Sequence, residues 1–305
     1  MRDSDRSAGL WLVSFAATAS AALCGRFGWL PALLGGGLGA LAFRVRLHRG
    51  RIPPAVRKVQ ALWLAVPLSI AANSASTLFP DGGHSLYVPA VVLGLSWLLC
   101  CHRRSGVLSC CAVAGFFVLG ALGIVALCAV PDLKIDWLRP EFHWMEALTA
   151  LSLAAGGMFL CEAVPDICLG PGWRWASALV PAVLSALTAG GLSRPLAARQ
   201  ASAFYTLSRS VSLFGVAERF EALIAACLTL GVCSACALLL CAAGGGSRVR
   251  AALALAALIL SRRPIPGPAA AAGTAIFWVI FPVFFAQKPA KKKTQKKSEK
   301  DEKST

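Results

Sequence analysis

Three clusters of polar or helix-weakening residues sit inside stretches that are otherwise apolar. The first, "LVSFAATASAALCG", carries Ser14, Thr18 and Ser20 among alanines. The second, "SIAANSASTLF", carries Asn73, Ser74, Ser76 and Thr77. The third, "ALTALSLAAGGMFLCEAVPD", carries Thr149, Ser152, the pair Gly156-Gly157 and Glu162. In a bilayer such groups are costly, and they mark the places where function is to be sought. The glycine pair is the most specific of them. Each Gly weakens a helix by about 1 kcal/mol relative to Ala. A helix unwound there exposes backbone N–H and C=O groups, which is tolerable only beside a cavity or a ligand. Two other roles fit the same residues. Small residues let helices approach closely, and Ser or Thr can bond back to its own helix. Glu162 is a candidate functional acid, or a carboxylate that reaches water from near the span's end.

Other chemistry finds little support. Cys100, Cys101 and His102 are adjacent, but no second ligand pair stands at zinc spacing. No metal or other cofactor is expected. The apolar stretches hold no His/Asp/Glu constellation, and no phosphate-binding loop is present, so an enzyme is not expected. Most of the twelve cysteines lie within apolar runs, where Cys behaves as a small hydrophobe, so reduced thiols rather than a disulfide framework are expected.

The elements that position these residues are membrane spans. Apolar residues are 57% of the 305-residue chain, and the mean hydropathy is +0.68. Gly106 to Val130 runs without a charge, as does Ala222 to Ser247. A span needs about 20 such residues. No period-two alternation suggests a barrel. The chain is expected to be all-α, a polytopic membrane protein of about ten transmembrane helices. The spans are 8–26, 28–43, 58–79, 86–101, 106–130, 145–164, 173–192, 220–243, 248–262 and 269–286. The first, Leu10 to Cys24 at its heart, reads as a span rather than as a cleaved signal.

The net charge of +16 orients the helices rather than binding nucleic acid. With ten spans, most bases fall on one side: Arg44, Arg46, Arg49, Arg51, Arg57 and Lys58, then Arg103, Arg104, Arg248 and Arg250, and eight lysines in the tail. Both termini are therefore expected in the cytoplasm. Residues 1–287 form the membrane domain. The Lys-rich tail 288–305 lacks apolar periodicity and should be a disordered cytoplasmic end able to contact anionic membrane lipid.

"FYTLSRSVSLFGVAERFEALIAACLTLG" places Arg209, Val211, Arg219 and Glu221 ahead of a long apolar helix. "VPDLKIDWLRPEF" follows the fifth span, and "EAVPDI" follows the sixth. In these segments and in its general spacing the chain resembles the spore germination permease family, the membrane B subunit of nutrient germinant receptors. That family belongs to the amino acid–polyamine–organocation transporter superfamily. The first span departs from it, with "FAATASAALCG" where the family has a Gly-rich break.

The resemblance implies two inverted repeats of five helices, with the first and sixth helices broken at the midplane around a ligand. On that scheme Ala16, Ala17, Thr18, Ala155, Gly156 and Gly157 would hold a small nutrient such as an amino acid. Freed N–H groups would take its carboxylate. Asn73 and Ser74 are secondary candidates. The segment Ala201 to Phe220 would lie over the cavity from outside, its apolar face being Phe204, Leu207, Val211, Phe214 and Ala217. The implied function is nutrient sensing in the spore inner membrane, together with germinant receptor A and C subunits. A secondary amino-acid transporter of the same fold and a structural assembly protein without a ligand remain alternatives.

Overall fold

The computed structural model describes residues 28–47, 54–76, 86–102, 104–139, 142–148, 170–200, 203–210, 220–263 and 276–280, with a few isolated positions elsewhere. The described residues are helical and include no strand. The helices are α1 (Trp29–Leu47), α2 (Pro54–Trp63), α3 (Ala65–Ser76), α4 (Tyr87–Cys100) and α5 (Arg104–Ala129). Two 3₁₀ turns follow, Val130–Asp132 and Ile135–Leu138. Then come α6 (Pro171–Leu192), α7 (Arg194–Arg199), α8 (Ala203–Ser210), α9 (Phe220–Ala242) and α10 (Ser247–Ser261). A π-helical turn, Ile276–Ile280, ends the described elements.

Three helical stretches are long and apolar enough to cross a membrane: Ser105–Asp132, Pro171–Leu192 and Ala222–Ala242. Trp29–Leu41 and Tyr87–Cys100 are shorter apolar helices. Their lengths and composition mark a membrane protein. The helix edges follow the charges and prolines that punctuate the apolar runs. Pro171 sits at the start of α6, where its missing N–H is not needed.

One expected span is not continuous. Residues 58–79 divide into α2 and α3 at Leu64. Pro67 is the cause. It has no N–H to offer the carbonyl of Trp63, and its ring crowds that carbonyl. The Leu64 N–H turns instead to Ala61 O at 3.2 Å, and the ladder restarts with Leu68 N to Leu64 O at 3.1 Å.

The core is built around α9, which packs against α3, α4, α5, α8 and α10. Every residue from Gly231 to Cys241 is buried. A helix apolar on all sides is the form expected of a central element. α10 lies on α3 and α4, and the π-helical turn lies on α2. Beside this group, α1 packs along α6. They touch through backbone: a Cβ on Gly36 would lie 3.0 Å from the Cα of Ala178.

The bundle has two distinct ends. At one, Arg250 of α10 reaches Cys100 O, the last residue of α4. Cys241 near the end of α9 belongs to the same buried cluster as Cys100. At the other, Ile224 of α9 and Val125 of α5 share a cluster with Phe204 of α8. Hence α4 and α9 run toward the Cys100 end, while α5 and α10 run away from it. α1 and α6 are antiparallel: Trp29 Nε1 donates to Leu138 O, while Gly37 lies beside Trp175 near the start of α6.

Candidate functional site

Ala16, Ala17, Thr18, Ala155, Gly156, Gly157 and Glu162 lie outside the described residues, as does the tail 288–305. The start of the first span is seen at a few positions. Leu12 is buried in the main core, and Gly9 lies so close to the Trp173 ring that it has no room for a Cβ. Asn73 and Ser74 are both described and half-buried on α3.

The two do different things. The Asn73 side chain donates through Nδ2 to Ser261 O, 3.3 Å away on the last turn of α10. The Asn73 carbonyl accepts from Ser76 Oγ at 2.6 Å. Asn73 thus ties α3 to the end of α10, where helix carbonyls lack intrahelical partners. Ser74 Oγ donates to Ala71 O at 2.7 Å, within its own helix. It satisfies its hydroxyl locally, as a Ser in a membrane helix can.

A second irregular place was not singled out in the sequence. Gln60 of α2 is 3% exposed, and its Nε2 donates to Phe277 O at 3.0 Å inside the π-helical turn. Trp63 stacks on Phe277 with centroids 4.7 Å apart and 25° between planes. Gly273 lies against the same Trp63 ring, with no room for a side chain. The broken segment α2–α3 and the wide π turn therefore meet face to face. π-helical turns cluster at functional sites, and irregular backbone at membrane depth survives only where protein or a cavity covers it. Gln60 inside an apolar run and Pro67 seven residues on were the visible signals.

Elsewhere, side chains bond across helices to backbone carbonyls. Ser96 Oγ of α4 lies 2.9 Å from Cys233 O of α9, and also 2.6 Å from Val92 O of its own helix. Cys111 Sγ of α5 lies 3.3 Å from Ser234 O. Arg250 Nη1 donates to Cys100 O at 2.6 Å, while its buried Nε has no partner. A guanidinium at the C-terminus of α4 also meets the negative end of the helix dipole.

Cys100, Cys101 and His102 do not converge. Cys100 Sγ points to Trp97 O, Cys101 Sγ to Ser247 Oγ, and His102 Nδ1 to Leu98 O. Among the described residues, no group of three or more His, Cys, Asp or Glu could hold a metal ion. The described cysteines are free thiols.

Bases stand at both ends of the bundle, whereas the described carboxylates stand at one. Lys58, Arg174, Arg248 and Arg250 belong to the Cys100 end, and Lys134, Arg139, Arg199, Arg209, Arg262 and Arg263 to the opposite end. Among the described residues, the carboxylates Asp132, Asp136, Glu146 and Glu221 belong to the opposite end. There Glu146 Oε2 accepts from Gly28 N at 2.8 Å and caps α1, a charge-assisted bond at a helix N-terminus. On α8, the expected apolar face is buried at Phe204 and Leu207 while Arg209 is exposed. Val211, Phe214 and Ala217 lie outside the described residues.

No protein-family model matches the chain, and no curated protein matches it.

Proposed function

We propose that the chain is a ten-span membrane protein of the 5+5 inverted-repeat design that binds a small nutrient, an amino acid, as the membrane subunit of a germinant receptor. The observation that carries the architectural part is the way helix contacts come in mates. If the spans are numbered one to ten, α1 is span two, α2–α3 span three, α4 span four and α5 span five. Then α6, α9, α10 and the π-turn segment are spans seven to ten. A repeat offset of five exchanges span three with eight, four with nine, and five with ten. The contact of α4 with α9 then has as its mate the contact of α3 with α10, and both occur. The contact of α5 with α9 has as its mate the contact of the π turn with α2, and both occur. Exchanged helices run in opposite directions, as α4 and α10 do and α1 and α6 do. This is what an inverted repeat requires.

Spans one and six complete such a fold, and Ala16 to Thr18 and Ala155 to Gly157 are the ligand-holding positions in this proposal. With ten spans, the loops at the Cys100 end together with the Lys-rich tail carry most of the bases in the sequence, which supports a cytoplasmic placement of that end and of both termini. An impermeant thiol reagent applied to intact cells should label a cysteine introduced near Gly82 or Ser202, and not one introduced in the tail. The germination role, the spore inner membrane and the A and C subunit partners rest on the sequence resemblance.

The deciding experiment is deletion of the gene in its host, with spore germination scored against a nutrient panel. Loss of response to one amino acid supports the receptor reading. An unaltered response across the panel, together with amino-acid uptake by the protein in proteoliposomes, would replace it with a secondary transporter. No change in either assay leaves an assembly protein without a ligand. Within the receptor reading, Gly157→Leu should abolish the nutrient response at normal protein abundance. A fall in abundance instead would make Gly157 a packing contact.

A further inference from the structure

The segment after α5 presents an apolar surface that the membrane-spanning core does not use. α5 has 26 residues, which at 1.5 Å per residue is about 39 Å, more than the hydrocarbon thickness of about 30 Å. Its end therefore reaches the headgroup layer. From there the chain does not rise away. Lys134 N donates to Gly190 O on the last turn of α6 at 3.1 Å. Leu133 and Leu138 turn inward over Gly190, where a Cβ would lie 2.7 Å and 3.4 Å from them. Leu138 O accepts from Trp29 Nε1 at 3.0 Å, and Glu146 caps α1. The segment thus runs sideways across the ends of α5, α6 and α1, pinned at each.

Its outward side is apolar and aromatic. Ile135 is 82% exposed, Trp144 74% and Met145 61%, with Val130, Trp137 and Phe142 beside them. Phe142 and Trp144 pack edge to face, and Lys134 Nζ sits 4.5 Å over the Trp137 ring. This surface continues the exposed strip of α5 formed by Phe116, Phe117, Ile124 and Leu127, the strip that faces lipid in a spanning helix. Trp, with apolar neighbours and a nearby cation, at the end of a span is the composition of a membrane-interface belt.

We infer that residues 130–139 and 142–148 lie in the bilayer interface and bind phospholipid at the headgroup–acyl boundary, as a collar that fixes the depth of α5, α6 and α1. The occupant is lipid rather than a soluble partner because the patch is continuous with the lipid-facing strip of α5 and lies at its level. The charges around it are of both signs, Asp132, Lys134, Asp136 and Arg139, which suits a zwitterionic headgroup. This inference rests only on insertion in a membrane, not on the germination reading.

The full chain is reconstituted in phosphatidylcholine vesicles, and its tryptophan emission is compared with that of Trp144→Phe. Phe keeps the apolar surface, so the collar should stay seated. The emission lost in the variant should be quenched strongly by lipids brominated near the ester carbonyls. Lipids brominated near the acyl-chain ends should quench it weakly, and aqueous iodide hardly at all. A component quenched by iodide and by neither lipid would mean that the surface stands in water, open to a protein partner. Quenching by none of the three would mean that protein already covers it. Stronger quenching by the deep bromines would place it in the hydrocarbon. Each of these overturns the collar. Trp137→Phe provides the same measurement where Trp144→Phe fails to accumulate.

Discussion

The α9 group and the α1–α6 pair are held together by different means. Around α9, side chains on one helix bond to carbonyls on the next, from Ser96 to Cys233 O, Cys111 to Ser234 O and Arg250 to Cys100 O. The cluster beneath them is broad, including Leu68, Val92, Cys236, Leu239 and Leu240. α1 and α6 instead meet through small residues, Gly36 on Ala178, with Ala32 against Ala182. In lipid there is little hydrophobic drive between helices, so close backbone packing and polar bonds must supply association. The α9 group uses polar bonds and deep burial, while the pair uses closeness. A group tied to several neighbours resists displacement. The pair is joined to the rest through α6, whose Leu184 packs with Val118, Phe204 and Ile224.

The sharpest way to break this comparison is at the seam. Gly36→Leu puts a side chain where a Cβ alone would stand 3.0 Å from Ala178 backbone. Backbone cannot swing aside as a side-chain tip can, so α1 must move off α6. A loss of about 3 kcal/mol is expected, the upper range for overpacking. The readout is a fall of the melting temperature of the detergent-purified protein and of its monodisperse peak. Gly37→Ala is the control, since its nearest neighbour is Trp175 at 3.8 Å, and it should behave as wild type. Tolerance of Leu at position 36 would show that the seam is loose, and the contrast with α9 would fail.

Arg250 tests the other side. Arg250→Met keeps the apolar stem but removes the bond to Cys100 O and the charge at the end of α4. A bond to a charged donor contributes about 1.5–3 kcal/mol. The unpartnered Nε offsets part of that, because the variant no longer buries it. The expected loss is about 1.5 kcal/mol. Arg250→Lys should recover part of it, since a cation near a helix C-terminus remains favourable. If Lys and Met melt alike, the charge contributes nothing and only the geometry of the fork matters.

These positions also show what could be read in advance. The ends of α5 and α10 and the start of α9 were legible because charges lie beside long apolar runs, which lipid forces into helices, and the end of α9 because glycines follow it, Gly244 and Gly245 at positive φ. The inward face of α8 was legible at Phe204 and Leu207 from helical spacing. The division at Leu64 was not drawn, although Pro67 announced it, because an apolar run seemed to demand one unbroken helix. The π turn at Ile276–Ile280 has no such signal. Its shape is set by Trp63 and Gln60, more than two hundred residues away in sequence. For the candidate site, the polarity of Asn73 was plain, but its partner Ser261 was not. Composition says that a group needs a bond and is silent about which helix supplies it.

A smaller effect is expected at Ser96. Its single hydroxyl proton is shared between Val92 O and Cys233 O, so only part of a bond spans the two helices. Ser96→Ala should lower stability by about 0.6 kcal/mol, the mean found for interhelical bonds in membranes. A loss above about 2 kcal/mol would exceed the largest of those. It would make this bond a principal tie of the α9 group rather than one of several.

The smallest effect sharpens the comparison most cleanly, because it repeats the residue type of the seam in a different setting. Gly94 lies mid-helix on α4, exposed, and a Cβ there would meet nothing within 4 Å. In a water-soluble helix, Gly→Ala at such a position stabilises by up to about 1 kcal/mol, largely through the freedom the unfolded chain loses. In lipid the separated helix keeps its backbone bonds, since no water is there to replace them. The freedom that Ala would remove is then largely absent from the reference state. Gly94→Ala should therefore change stability by less than about 0.5 kcal/mol, in the stabilising direction. Melting curves of this variant beside Gly36→Ala make the test. At Gly36 even a methyl must push against Ala178 and should destabilise. If the two alanines behave alike, what distinguishes α1–α6 is not its closeness. A gain of a full 1 kcal/mol at Gly94 would instead show that α4 unwinds when the protein comes apart, as a helix in water does.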